Sequence, residues 1–272
     1  MATTSHRVKS DVTAFTIIEA LNQGGEMGVT EIAQETGIVK SSVHKHLSTL
    51  LELGYVSKEG TRYSLSMRWL GAGRRVRERR PVFQAAKDEV ESLARRTGET
   101  VSLVVEEAGD AVYILQSSER EPALSPVEEG ERIPAPISVG GKALLSYRPT
   151  EEVRALLETL DTDDDTDTEK LLSELRTLRD QRLVVGRSNP QERVFSAGSF
   201  EGHRHVVGHG EPYHDLNGVA VPIRDANNYA VAAIEVSGAE SSLYGRRLQE
   251  EIAGLLVETG KSVETNLLRL SD

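Results

Sequence analysis

The sequence predicts an α+β fold in two parts, a small helical N-terminal part closed by a hairpin and a larger body of antiparallel strands flanked by helices. Three observations carry this. The 272 residues exceed one ordinary domain of roughly 100–150 residues. Charge is split along the chain, with 12 Lys+Arg against 8 Asp+Glu in residues 1–80 and 20 against 35 in the remainder. From Glu99 the apolar period changes from helical spacing to β-rich runs. A basic end on an acidic body suits a protein that meets a polyanion with one end only, while the acidic body on its own means solubility.

The N-terminal elements follow in order. SDVTAFTIIEALNQGG sets Phe15, Ile18 and Leu21, with Ala14 and Ile17, at helical spacing behind a Ser10 or Asp11 cap, and Gly24 and Gly25 close the helix. Thr30 is placed to cap a short second helix with Ile32 and Ala33 inward and Gly37 at its end. A longer helix starts near Lys40 with Val43, Leu47, Leu50 and Leu51 on one face. Short helix, glycine turn and longer helix make a helix-turn-helix. YVSKEGTRYSLS then alternates Val56 and Lys58 with Tyr63 and Leu65 around a Glu59-Gly60 turn, the hairpin of a winged helix.

Off the apolar stripe of the longer helix lie Lys40, Ser41, Ser42, His44, Lys45 and Thr49, mostly in its first two turns. That is where a recognition helix enters the major groove, and Lys and Ser donate to base edges or phosphates there. Lys58, Arg62 and Thr61 fall at the wing, within reach of the backbone or minor groove. The partner expected is double-stranded operator DNA. A helical interaction module that never touches DNA is the competing possibility, and the clustering of basic residues on these elements argues against it.

The order of helix, helix-turn-helix, LLELGYV and wing resembles the isocitrate lyase regulator (IclR) family of transcription factors. Downstream segments extend the resemblance: TGETVSLV at 97–104, GGKALL at 140–145 and the paired strands GVAVPIRDANNYAVAAIEVSG. Together they span about residues 8–268. The resemblance implies a winged helix-turn-helix over residues 1–68, a linker helix region over 69–98, and a GAF-like effector-binding and oligomerisation domain over 99–272. It also implies a homodimer or a tetramer built as a dimer of dimers.

The linker begins with Arg74, Arg75, Arg77, Arg79 and Arg80, which either contact phosphates or form a solvated helix face. Beyond Pro81, Val82, Ala85, Ala86, Val90, Leu93 and Ala94 make an amphipathic helix ended by Gly98. In the body, one hairpin turns at Ala108-Gly109-Asp110 and another at Asp225-Ala226-Asn227-Asn228, and a final helix runs from about Leu243 to Leu270.

Carried over residue by residue, the family's effector pocket falls on Ser138, Val139, Gly140, Gly218, Glu235 and Ser237, small residues with a few polar groups. Two positions depart from the family pattern: Glu235 stands where a serine is frequent, and Pro136 where a histidine is. A carboxylate in the pocket repels an organic acid, unless Glu235 faces out of the sheet into solvent. The effector expected is a small molecule of unassigned identity.

Other chemistry is weakly supported. Asp163, Asp165, Asp167 and Glu174 fit positions of a calcium loop, but Thr168 replaces the glycine at position 6, and Thr166 with Glu169 cap a helix through Leu171, Leu172, Leu175 and Leu178. No nucleophile elbow, phosphate loop or dinucleotide fingerprint is present, so no enzyme, cofactor or catalytic residue is expected.

Four of the seven histidines, His203, His205, His209 and His214, crowd the connection from Gly186 to Leu216. With Glu201 or Asp215 they allow a zinc site, a lid over the effector, or a solvated loop or dimer contact; their spacing matches no standard metal signature. The alternative function is thus a metal-binding sensor or enzyme with a DNA-binding appendage; a sensor acting through a protein partner is another. No cysteine is present, no apolar run reaches the ~18 residues of a membrane span, and MATTSHRVKSD lacks a signal core, so a cytoplasmic protein without membrane contact is expected.

Overall fold

A computed structural model describes residues 8–159, 168–181, 184–186, 216–243 and 245–271. The chain divides into two compact units that meet between Arg77 and Glu78.

Unit one holds α1 (Lys9–Gly24), β1 (Met27–Gly28), α2 (Val29–Thr36), α3 (Lys40–Glu52), β2 (Val56–Glu59) and β3 (Arg62–Leu65). Ile17, Leu21, Ile32, Val43, Leu47, Leu50, Val56 and Tyr63 form its core. The expected helices are present, with local corrections. Neither Ser10 nor Asp11 caps α1: Val8 precedes it with no capping side chain, because both polar residues lie inside the first turn. Phe15 faces solvent, since it sits about 200° around the helix from Ile17, whose line with Leu21 is the buried one.

Thr30 does not cap α2; the helix starts at Val29, and Glu31 reaches back to accept the Gly28 N–H at 2.7 Å. Leu51 is also outside the core, which takes Val43, Leu47 and Leu50 at i, i+4 and i+7. The wing turns at Gly60-Thr61 rather than Glu59-Gly60, because Glu59 still pairs with Arg62 and Gly60 supplies the positive φ of a two-residue loop. A third strand, which the sequence does not announce, pairs Met27 with Tyr63 and Gly28 with Arg62.

The linker region is two helices, α4 (Arg68–Glu78) and α5 (Pro81–Thr97). They part just before Pro81, which at a first helical position lacks only an N–H that the helix leaves unused. Trp69 fastens the start of α4 to unit one: its indole N–H donates to the Tyr55 carbonyl at 2.9 Å and its ring tilts against Tyr55.

Unit two is built on a six-stranded antiparallel sheet in the order β6-β5-β4-β9-β8-β7. Its strands are β4 (Thr100–Glu107), β5 (Asp110–Ser117), β6 (Arg132–Pro134), β7 (Val184–Gly186), β8 (Leu216–Arg224) and β9 (Ala230–Ala239). The two expected hairpins join β4 to β5 and β8 to β9. One face of the sheet buries Val101, Leu103, Val219, Ile234 and Val236 against α5 and the C-terminal α9 (Ala253–Ser271). The other packs Val104, Tyr113, Ala220 and Ala233 among α6 (Val139–Leu145), α7 (Thr150–Thr159) and α8 (Thr168–Gln181). The final helical run starts at Gly245, two residues past the buried Leu243, and passes through a π-helical stretch Arg247–Ile252 into α9.

Candidate DNA-binding surface and effector site

The core of unit one claims one side of α3 and leaves the other to solvent. Lys40, Ser41, His44, Lys45 and Thr49 are exposed and Ser42 is half-buried. Val39, just before the helix, is 69% exposed. The predicted contact residues of α3 thus share the solvent side of one element, with short side chains at its start. Thr49 donates its hydroxyl to the Lys45 carbonyl at 3.2 Å.

The two wing candidates differ. Lys58 is exposed, its ammonium 5.2 Å from the centroid of the Tyr63 ring. Arg62 already has partners: its guanidinium forks onto Glu31 at 3.1 and 3.2 Å and also donates to the Glu26 carbonyl. The Gly28 N–H first, and Arg62 second, hold the Glu31 carboxyl below its ordinary value. Arg74, Arg75 and Arg79 are exposed, and Arg80 pairs with Glu107 at 2.9 Å.

In unit two, three of the nominated effector residues come together. Ser138 caps α6 by accepting the Gly141 N–H at 3.0 Å. Glu235 is fully buried, which removes the solvent-facing alternative. Its Oε2 accepts from the Gly140 N–H at 2.9 Å and from the Tyr113 hydroxyl at 3.0 Å. The Tyr113 and Ser138 oxygens lie 3.1 Å apart. Because Tyr113 has one proton, given to Glu235, Ser138 must donate to Tyr113.

Gly141 has a steric reason: a Cβ there would lie 2.2 Å from the Ala135 carbonyl oxygen. Pro136 is buried in the 3-10 turn that makes this close approach. Val139 packs into the apolar cluster under α6. Gly218 and Ser237 are register partners two pairs along from Glu235, and Ser237 donates to the Leu124 carbonyl at 2.8 Å.

Sequence reasoning missed Tyr113, the hub of this network. Its only signal was a tyrosine of inward parity in a β-rich run. It also missed the buried Glu99, whose Oε1 accepts from Arg247 at 2.7 Å. His203, His205, His209 and His214, with Glu201 and Asp215, lie outside the described residues, as do Asp163, Asp165, Thr166 and Asp167. Among the described residues no group of three or more His, Asp or Glu is placed to hold a metal ion, and no helix is long and apolar enough to cross a membrane.

Comparison with known proteins agrees at both ends of the chain. The IclR helix-turn-helix domain matches residues 13–60 and the bacterial transcriptional regulator IclR C-terminal domain matches residues 75–200. The transcriptional regulator KdgR of Escherichia coli K12 is 29% identical over 255 residues, covering 91% of this chain and 89% of that one. The Thermotoga maritima IclR structure shares the fold at a TM-score of 0.70 and 23% identity, over 96% of this chain and 99% of that one. An IclR homologue from Microbacterium hydrocarbonoxydans, complexed with 4-hydroxybenzoate, shares it at 0.72 and 18%, over 96% and 99%.

A winged helix-turn-helix with a polar recognition face, joined to a sheet-based body, defines a DNA-binding transcriptional regulator, and the related proteins are regulators rather than enzymes. The chain belongs to the IclR family.

Proposed function

We propose that this regulator binds a pseudo-palindromic operator as a symmetric homodimer, or as a tetramer of two such dimers, in the cytoplasm. A small molecule held by unit two alters operator affinity and so controls metabolic or catabolic genes. The observation that carries the proposal is the polar, exposed first half of α3, with Lys40, Ser41, Ser42, His44, Lys45 and Thr49 as the base and phosphate contacts and Lys58 beside them on the wing. Arg62 acts by holding the wing to α2 through Glu31.

The solvent-facing apolar side chains Phe15 of α1 and Leu70 and Val76 of α4 support a second copy as the partner of unit one. The neighbour complexed with 4-hydroxybenzoate supports a small-molecule site in a body of this fold. Ser138, Val139, Gly140, Gly218, Glu235 and Ser237 are its proposed lining in this chain, and the boundaries at residues 68 and 98 separate reader, linker and sensor.

The test is affinity for DNA from the region upstream of the protein's own gene, against scrambled DNA, at two salt concentrations with and without candidate effectors. Selective, salt-dependent binding that a ligand shifts is expected. Equal affinity for both DNAs would falsify the operator assignment.

A further inference from the structure

Six arginines and one glutamate stand in residues 68–80 of a chain whose formal net charge is −11. Four of those arginines lie in α4, a helix with no buried residue, so core packing does not explain its sequence. Crowding like charges on one helix destabilises it, and the helix dipole favours only those of the last turn, Arg75 and Arg77. A polyanion lying against the helix relieves that repulsion.

The start of α4 is fixed where α3 meets the wing. Residues 53–55 join α3 to β2, and three bonds tie α4 to them. Ser66 donates its hydroxyl to the Gly54 carbonyl at 2.7 Å, Arg68 donates Nη1 to the Leu53 carbonyl at 3.3 Å, and Trp69 donates to the Tyr55 carbonyl. The Arg68 guanidinium also lies 4.7 Å from the centroid of the Tyr55 ring. Stacking and one bond fix its direction and leave part of its five-donor fork for another acceptor. Arg75 follows Arg68 by seven residues, which returns it to within about 20° of the same edge of the helix. Both side chains are exposed. Gly71 stands between them, and a Cβ there would lie 3.4 Å from Arg75 Nη1, so the Arg75 side chain runs back over Gly71 toward Arg68. Leu70 and Val76 lie roughly 80° or more around the helix, which separates this cationic edge from the apolar side chains offered to a second copy.

We propose that α4 is a further DNA-contacting element: its Arg68–Arg75 edge binds the phosphate backbone of the duplex that flanks the bases read by α3. The proposal rests on the DNA-binding reading of unit one. Because α4 is anchored at the C-terminal end of α3, ~20 Å of helix from Lys40, its arginines meet backbone rather than the base edges that face the start of α3. The guanidinium fork matches phosphate, a group common to every nucleotide. The edge therefore raises affinity for any duplex and leaves selectivity to α3 and the wing.

The experiment uses the full chain and two duplexes of equal length, one from the region upstream of the protein's own gene and one scrambled, titrated by fluorescence anisotropy at several salt concentrations. The unaltered protein is compared with Arg75→Gln and with Arg68→Gln/Arg75→Gln. Lys87→Gln/Arg95→Gln, on exposed residues of α5, is the control of equal charge change. Circular dichroism verifies folding, and sedimentation the oligomeric state. Arg75→Gln is expected to lower the slope of log affinity against log salt by about 1 and the double variant by about 2, alike on both duplexes, while the control leaves it in place. Arg75→Gln alone decides should the double variant fail to fold.

Unchanged slopes in both variants overturn the proposal and leave the operator assignment standing. So does an equal loss in the control, which marks a net-charge effect, and so does a change of oligomeric state, which gives the edge to a second copy. Equal affinity of the unaltered protein for the two duplexes removes the operator assignment, while the slopes still decide the proposal. No binding to either duplex removes the DNA-binding reading of unit one, and the proposal with it.

Discussion

Both units pair an arginine with a glutamate, on opposite sides of their surfaces. In unit one, Arg62 and Glu31 meet with 47% and 48% of their side chains exposed. In unit two, Arg247 meets a Glu99 that is fully buried. The difference follows the work of each unit. A reader of DNA keeps its charges in water, where the phosphates are, and its ion pairs contribute little to stability. Unit two carries polar groups inside, where each must be matched.

The contrast predicts a graded series of effects. The largest is expected for Arg247→Ala, which leaves the buried Glu99 with the Ser242 hydroxyl at 3.3 Å and the more distant Arg120 guanidinium at 3.8 Å. A loss of about 3–5 kcal/mol is expected on chemical denaturation, as for other broken buried pairs. A cost below 1 kcal/mol would put this pair in the same class as the surface pair. Leu47→Ala, in the core of unit one, is expected to cost about 2–5 kcal/mol and to abolish operator binding.

Lys45→Ala is expected to spare stability altogether and to reduce the slope of log affinity against log salt by about 1, read from titrations at several salt concentrations. An unchanged slope would show that Lys45 meets no phosphate.

The smallest effect is expected for Glu31→Gln at neutral pH. Glu31 has a folded-state value below its ordinary 4.5, because it accepts the Gly28 N–H and is paired with Arg62. A depressed carboxyl stabilises the fold above its unfolded value and loses that contribution as pH falls through the folded one. Glu31→Gln should therefore flatten the acid limb of unit-one stability below about pH 4.5 and little else, a profile checked by thermal melts from pH 3 to 7. Identical acid limbs for both proteins would remove Glu31 from the account.

Unit one was the more legible because its signals are local. Caps, glycine turns and a 3.6-residue period act within a few residues, so the helix-turn-helix and the exposed positions of α3 could be read directly. Even there the sequence misplaces single residues: Thr30 stands two residues past the Gly28 that precedes α2, Phe15 faces solvent while Ile17 beside it is buried, and nothing local announces the two-residue β1 that pairs with the wing. In unit two the hairpins were legible from their turns. Glu235 itself was singled out by type, while its direction was left open, because alternate strand residues face opposite ways and only the packed layer decides which face is covered.

By itself the sequence determined the α+β class, the order of helix-turn-helix and sheet-based body, and the polar residue types on the exposed side of α3. Tertiary structure alone decided that Arg62 braces the wing, that Tyr113 joins Ser138 to Glu235, and that Glu99 lies inside against Arg247. Those three facts depend on strand register and on residues 25 to 148 positions apart meeting in space. Helix propensity and turn chemistry are set by near neighbours, but burial of a charge is set by whatever the whole fold brings against it.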